Sequence, residues 1–128
     1  MSQTLQHASR VQVGALQVAI AACTLAAAFI HLCMATSPNG DFRFWFLLNG
    51  LGYLGFLAVF FLPRFAPRHH TISFLLMGYA LLTILLWFVF GQPDEIVGSV
   101  TTAIEPVLAV LALYEGLRVL RVRARDTA

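Results

Sequence analysis

IVGSVTTAIEPVLAVLALYEGLRVL, residues 96–120, is the last of four long apolar runs, and its reading decides the fold. A hydrocarbon core takes roughly 20 apolar residues to cross. This run is long enough, and it holds a carboxylate, Glu105, well inside it. A carboxylate at that depth is costly unless it faces a partner or a water-filled pocket. Three earlier runs, about 11–35, 42–62 and 71–90, have the same apolar character. The expected fold is all-α: an integral membrane, up-down-up-down four-helix transmembrane bundle. One four-span membrane domain is expected over residues 1–128. A membrane barrel would show alternating segments of about ten residues, and the sequence has none.

Composition points the same way. The chain is 59% hydrophobic and 11% charged, where soluble domains carry about 25% charged residues. Its mean hydropathy is +0.81. So little charge cannot cover a water-facing surface, so lipid is the expected solvent and the bilayer the expected partner.

All 8 basic residues are arginine. Arg10 precedes the first run, Arg64 and Arg68 separate the second from the third, and Arg118, Arg121, Arg123 and Arg125 close the chain. Only Arg43 falls on the other side. This is a positive-inside pattern. It predicts a multi-pass protein of the cell membrane with cytoplasmic N- and C-termini. The loops around Pro38 and Pro93, with Asp41, Asp94 and Glu95, then face outward. The arginine-rich tail is read as setting topology, with anionic lipid headgroups as the alternative. Nucleic acid is not an expected partner, since the charges are few and no fold presents them.

Turn chemistry separates the runs. Ser37-Pro38-Asn39-Gly40-Asp41 and Gly91-Gln92-Pro93-Asp94-Glu95 are strong turn formers, and Pro63 and Pro67 bracket the basic loop. Phe42, Phe44, Trp45 and Phe46 open the second run, and Trp87, Phe88 and Phe90 close the third, as interfacial belts do. The first run is longer than the 7–15 residues of a signal-peptide core, and Cys33-Met34-Ala35 is a poor cleavage site. Cys23 and Cys33 lie ~15 Å apart on one helix, too far for a disulfide between them, and are read as packing residues.

Depth and phase select the candidate site. His31, Asn49 and Glu105 lie ~7, ~10 and ~13 Å inside the outer ends of their runs at 1.5 Å per residue. Thr83 and Trp87 fall in the same layer. On the first run Gln17, Thr24 and His31 recur every seven residues. On the fourth, Gly98, Thr101, Glu105, Ala109, Ala112 and Gly116 share a face, and small residues there admit a close neighbour. Asn49, Gly52, Tyr53 and Phe56 share a face of the second. The ligand- or proton-binding candidates are therefore His31, Asn49 and Glu105, with Thr24, Tyr53, Thr83, Trp87 and Thr101 secondary. The first and fourth helices are expected to be neighbours, which would bring His31 to Glu105. Pro106 removes a backbone donor and frees a carbonyl near Thr102.

Other polar residues are read more plainly. His69 and His70 sit in a basic loop as surface residues, and Glu115 with Arg118 as an exposed local ion pair worth little. His31 and Glu105 supply two ligands where a metal site takes three or four, so no metal and no catalytic residue is predicted, and no cofactor is specified. HExxH, GxSxG, P-loop, CxxC and dinucleotide motifs are absent from the sequence.

Three readings of function follow, in order. The first is a non-enzymatic accessory or interaction subunit of a larger membrane complex. The second is a small proton- or cation-coupled transporter, or an apolar-ligand-binding membrane protein, using Glu105 and His31 and assembled as a homo-oligomer. The third is a membrane enzyme or tetrapyrrole-binding protein.

Overall fold

A computed structural model of the chain describes residues 14–36, 42–90 and 96–128, apart from the side chain of Val97. The turns expected at Pro38 and Pro93, together with His7 and Arg10, lie outside the described residues. The described residues form four α-helices: α1 (Ala15–Ala35), α2 (Arg43–Phe61), α3 (His69–Phe90) and α4 (Ile96–Asp126). A short 3-10 helix, Pro63–Arg68, joins α2 to α3. No strand occurs among the described residues.

The boundaries follow local chemistry. Leu62 precedes Pro63, and a residue before proline is driven out of the helical region. It is extended, with ψ 123°, and α2 stops there. The helices end close to the predicted limits, with one exception: α4 runs six residues beyond Leu120, to Asp126. Pro106 is accommodated inside α4, where Thr102 Oγ1 donates to the Gly98 carbonyl (2.9 Å).

Contacts between the helices run antiparallel. On α1 and α4, Gln17 meets Glu115 and His31 meets Glu105. On α3 and α4, Thr83 meets Glu105 and His69 meets Glu115. Arg43 at the start of α2 donates to the Ala35 carbonyl at the end of α1 (3.1 Å). The expected α1–α4 neighbourhood is therefore present. Two close approaches depend on glycine. A Cβ at Gly52 would collide with the Tyr79 hydroxyl, and one at Gly98 with the Trp87 ring.

Ile20, Ala27, Ala28, Tyr53, Leu76, Leu108 and Ala112 form the middle of the core. Alanine is frequent there because small side chains let backbones come together. The outside is apolar too. Phe29 is 67% exposed, Leu85 59% and Val110 65%. Three helical segments, Ala15–Ala35, Arg43–Phe61 and Pro63–Phe90, are long and apolar enough to cross a membrane.

Candidate functional site

Two carboxylates are buried among the described residues, Glu105 and Glu115, both on α4. Ten residues of helix separate them by ~15 Å. Their surroundings differ in kind.

Glu105 is 2% exposed and meets one residue from each of the other three helices. Its Oε1 accepts from the Tyr53 hydroxyl of α2 (2.9 Å) and the Thr83 hydroxyl of α3 (2.8 Å). His31 of α1 brings Nε2 to 3.7 Å from the same oxygen. Tyr53 Oη and Thr83 Oγ1 are themselves 2.9 Å apart, so three oxygens form a closed triangle. Thr83 Oγ1 also lies 2.8 Å from the Ala80 carbonyl. No guanidinium is paired with Glu105 among the described residues.

The tautomer of His31 follows from its other contact. Nδ1 lies 2.8 Å from the Ala27 carbonyl. A carbonyl only accepts, so Nδ1 carries the hydrogen, and Nε2 of a neutral ring is a lone pair. That lone pair would face a carboxylate oxygen. At 3.7 Å the pair is beyond hydrogen-bonding distance, and a proton on either group would turn the contact from repulsive to attractive.

The hydroxyls can serve either state. With an ionised carboxylate, Tyr53 and Thr83 both donate to Glu105. With a neutral carboxyl, the acid hydrogen goes to Tyr53 Oη, Tyr53 donates to Thr83, and Thr83 donates back to Glu105 Oε1. Every step is a hydroxyl rotation at distances of 2.8–2.9 Å. Both hydrogen-bond patterns fit these distances.

Glu115 is fully buried and heavily satisfied. Arg118 Nε donates to Oε2 (2.9 Å) and its Nη2 to Oε1 (3.1 Å). Gln17 Nε2 of α1 and His69 Nε2 of α3 each reach Oε1 at 3.1 Å. The His69 ring rests on Phe60 of α2, centroids 4.3 Å apart. This corrects the sequence reading of Glu115 as an exposed local pair and of His69 as a loop surface residue. His69 is the first residue of α3, and its side chain is 15% exposed. Burial makes the pair a clasp: α1, α3 and α4 are tied at one carboxylate whose charge is matched by Arg118.

The other candidates fall as follows. Thr101 is buried one turn before Glu105. Thr24 is buried but donates to the Ile20 carbonyl of its own helix (2.7 Å), away from the cluster. Trp87 packs on Gly98. Asn49 is half-buried; its carbonyl accepts from Tyr79 (3.2 Å), and its Oδ1 has no partner among the described residues. Nothing joins the Asn49 side chain to Glu105. The second cluster, Gln17, His69 and Glu115, was missed as a site. Its signal was present: once His31 on α1 is set opposite Glu105, an antiparallel register carries Gln17 toward Glu115. Among the described residues no group of three or more His, Cys, Asp or Glu side chains is placed to hold a metal ion.

Residues 2–115 match a family described as a family of unknown function, DUF7475, and the chain belongs to it. No curated protein and no solved structure matches the chain.

Proposed function

We propose that this DUF7475 chain is a four-span protein of the cell membrane, with both termini cytoplasmic, that takes up and releases a proton at Glu105 and His31. Three helices long and apolar enough to cross a bilayer support the membrane placement. So do the bulky apolar side chains exposed along them, which water does not solvate. The arginine distribution supports the sidedness.

The observation that carries the functional reading is the proton inventory of the cluster. His31 Nδ1 is committed to a backbone carbonyl, so its Nε2 stands 3.7 Å from Glu105 as a lone pair able to accept a proton. Tyr53 and Thr83 offer a bonding pattern for each state. A proton needs no cavity. Two grooves among the described residues lie on the outer side of α4, away from Glu105.

The test is infrared difference spectroscopy of the protein in membranes between pH 5 and pH 9. A carboxylic-acid carbonyl band should appear on acidification in the wild type and in Glu115→Gln, and be missing in Glu105→Gln. A difference spectrum unchanged by Glu105→Gln would sink the reading.

A second reading is a non-enzymatic accessory subunit, in which Glu105 only pins the helices. The closed triangle of Tyr53, Thr83 and Glu105 favours it, since a pin needs no exchange. It predicts unrelated chains at fixed stoichiometry in gently solubilised native membranes, lost in Glu105→Gln.

A further inference from the structure

The outer side of α4 carries a feature unrelated to the buried carboxylates. Pro106, Val107, Val110 and Leu111 line a shallow, wholly apolar groove. Tyr114, Leu117, Arg118, Arg121, Val122 and Arg125 line a second, with polar and apolar surface mixed. Val107, Val110, Tyr114, Leu117, Arg121 and Arg125 succeed one another at intervals of three and four. The two grooves therefore follow each other along one helix face. Val107 is 52% exposed, Val110 65% and Tyr114 59%, so no helix among the described residues covers that face.

The face changes character once, at its far end, from apolar to basic. Two of the four tail arginines are engaged: Arg118 with Glu115, and Arg123 with the Pro67 carbonyl. Arg121 and Arg125, one turn apart, form no ion pair among the described residues. From Arg121 back to Val110 is ~16 Å of helix. One leaflet of a bilayer holds roughly half of a ~30 Å hydrocarbon core, so an acyl chain starting near the arginines extends to about Val110, the near edge of the apolar groove.

The geometry points to a binding site for one anionic phospholipid on this face. Its phosphate lies between Arg121 and Arg125, and its acyl chain along Leu117, Tyr114 and Val110. Charge complementarity and the single apolar-to-basic transition select this occupant over a zwitterionic lipid. The inference rests on the membrane placement proposed above, and it is independent of proton exchange at Glu105.

The test uses the full chain in mild detergent with equal phosphatidylglycerol and phosphatidylcholine of matched acyl chains, followed by native mass spectrometry. Phosphatidylglycerol should be retained preferentially. Arg121→Ala with Arg125→Ala should lower that preference on the order of tenfold. Arg64→Ala with Arg68→Ala removes the same charge from the 3-10 helix outside the groove, and should leave the preference intact. Equal loss in both double variants would mean general electrostatics and overturn the site. So would equal retention of the two lipids, a dimer that excludes both, or complete displacement by inorganic phosphate. Alkaline carbonate extraction of the native membranes reports the membrane placement separately.

Discussion

Tyr53 and Glu105, 52 residues apart in sequence, meet at 2.9 Å, the tyrosine hydroxyl of α2 donating to the carboxylate of α4. Tyr53 is fully buried and Glu105 nearly so. This contact joins helices that are not consecutive, and Thr83 closes the same triangle from α3.

Removing the hydroxyl isolates its contribution. Tyr53→Phe leaves the ring in place and takes one donor from a buried acceptor, which costs about 1–3 kcal/mol. Unfolding titrations in detergent should show that loss. Combined with Glu105→Gln, the two changes should be non-additive by about 0.5–3 kcal/mol, as residues sharing one network are. Additive effects would mean the hydroxyl and carboxylate act independently.

Arg118 distinguishes a buried clasp from a surface pair. Its partner Glu115 is fully buried while its own side chain is 50% exposed. Arg118→Ala leaves a carboxylate buried without its countercharge, and should destabilise by about 3 kcal/mol. Arg121→Ala, on the exposed side of the same helix, should change stability by no more than about 0.5 kcal/mol. Thermal melts of the two variants side by side decide it; equal, small effects would return Glu115 to the status of a surface residue.

Gly52 makes room for the Tyr79 hydroxyl, which donates to the Asn49 carbonyl (3.2 Å). Gly52→Ala should therefore cost about 1–3 kcal/mol through overpacking. In a Tyr79→Phe background the clash is smaller and the bond already gone, so the same substitution should cost less. If it costs the same in both backgrounds, the destabilisation has another origin.

His31 is held by a bond within its own helix, Nδ1 to the Ala27 carbonyl. His31→Asn keeps a polar group but removes the Nε2 that faces Glu105. The pH at which the Glu105 carbonyl band appears should then shift, while Thr24→Val, which removes a hydroxyl donating to the Ile20 carbonyl of its own helix, should leave it in place. A His31→Asn spectrum titrating as the wild type does would uncouple the two residues.

Much of the site was legible as levels along the chain. His31, Thr83 and Glu105 were placed in one layer by counting residues inward from the turns, and all three meet there. Tyr53 entered only as a secondary candidate, yet it donates directly to Glu105. The long side chain reaches across the bundle, and counting from Cα positions does not register that reach. Asn49 sits at a suitable depth and shares a helix face with Tyr53, yet its Oδ1 has no hydrogen-bond partner among the described residues.

Helix limits, their antiparallel succession and the polar stripes are local properties. Apolar run length, turn residues and 3.6-residue periodicity determine them, and one chain suffices to read them. Which stripes meet is a lateral matter, and here the usual guide is missing. In a soluble bundle the apolar face turns inward and gives each helix its phase. In this chain the outward faces, Phe29, Leu85 and Val110 among them, are as apolar as the core. Apolar periodicity therefore carries almost no phase, and the few polar and small residues carry it alone. That is why the burial of Glu115, its hold on Gln17 and His69, and the Tyr53–Thr83–Glu105 triangle emerged only once the helices were packed together.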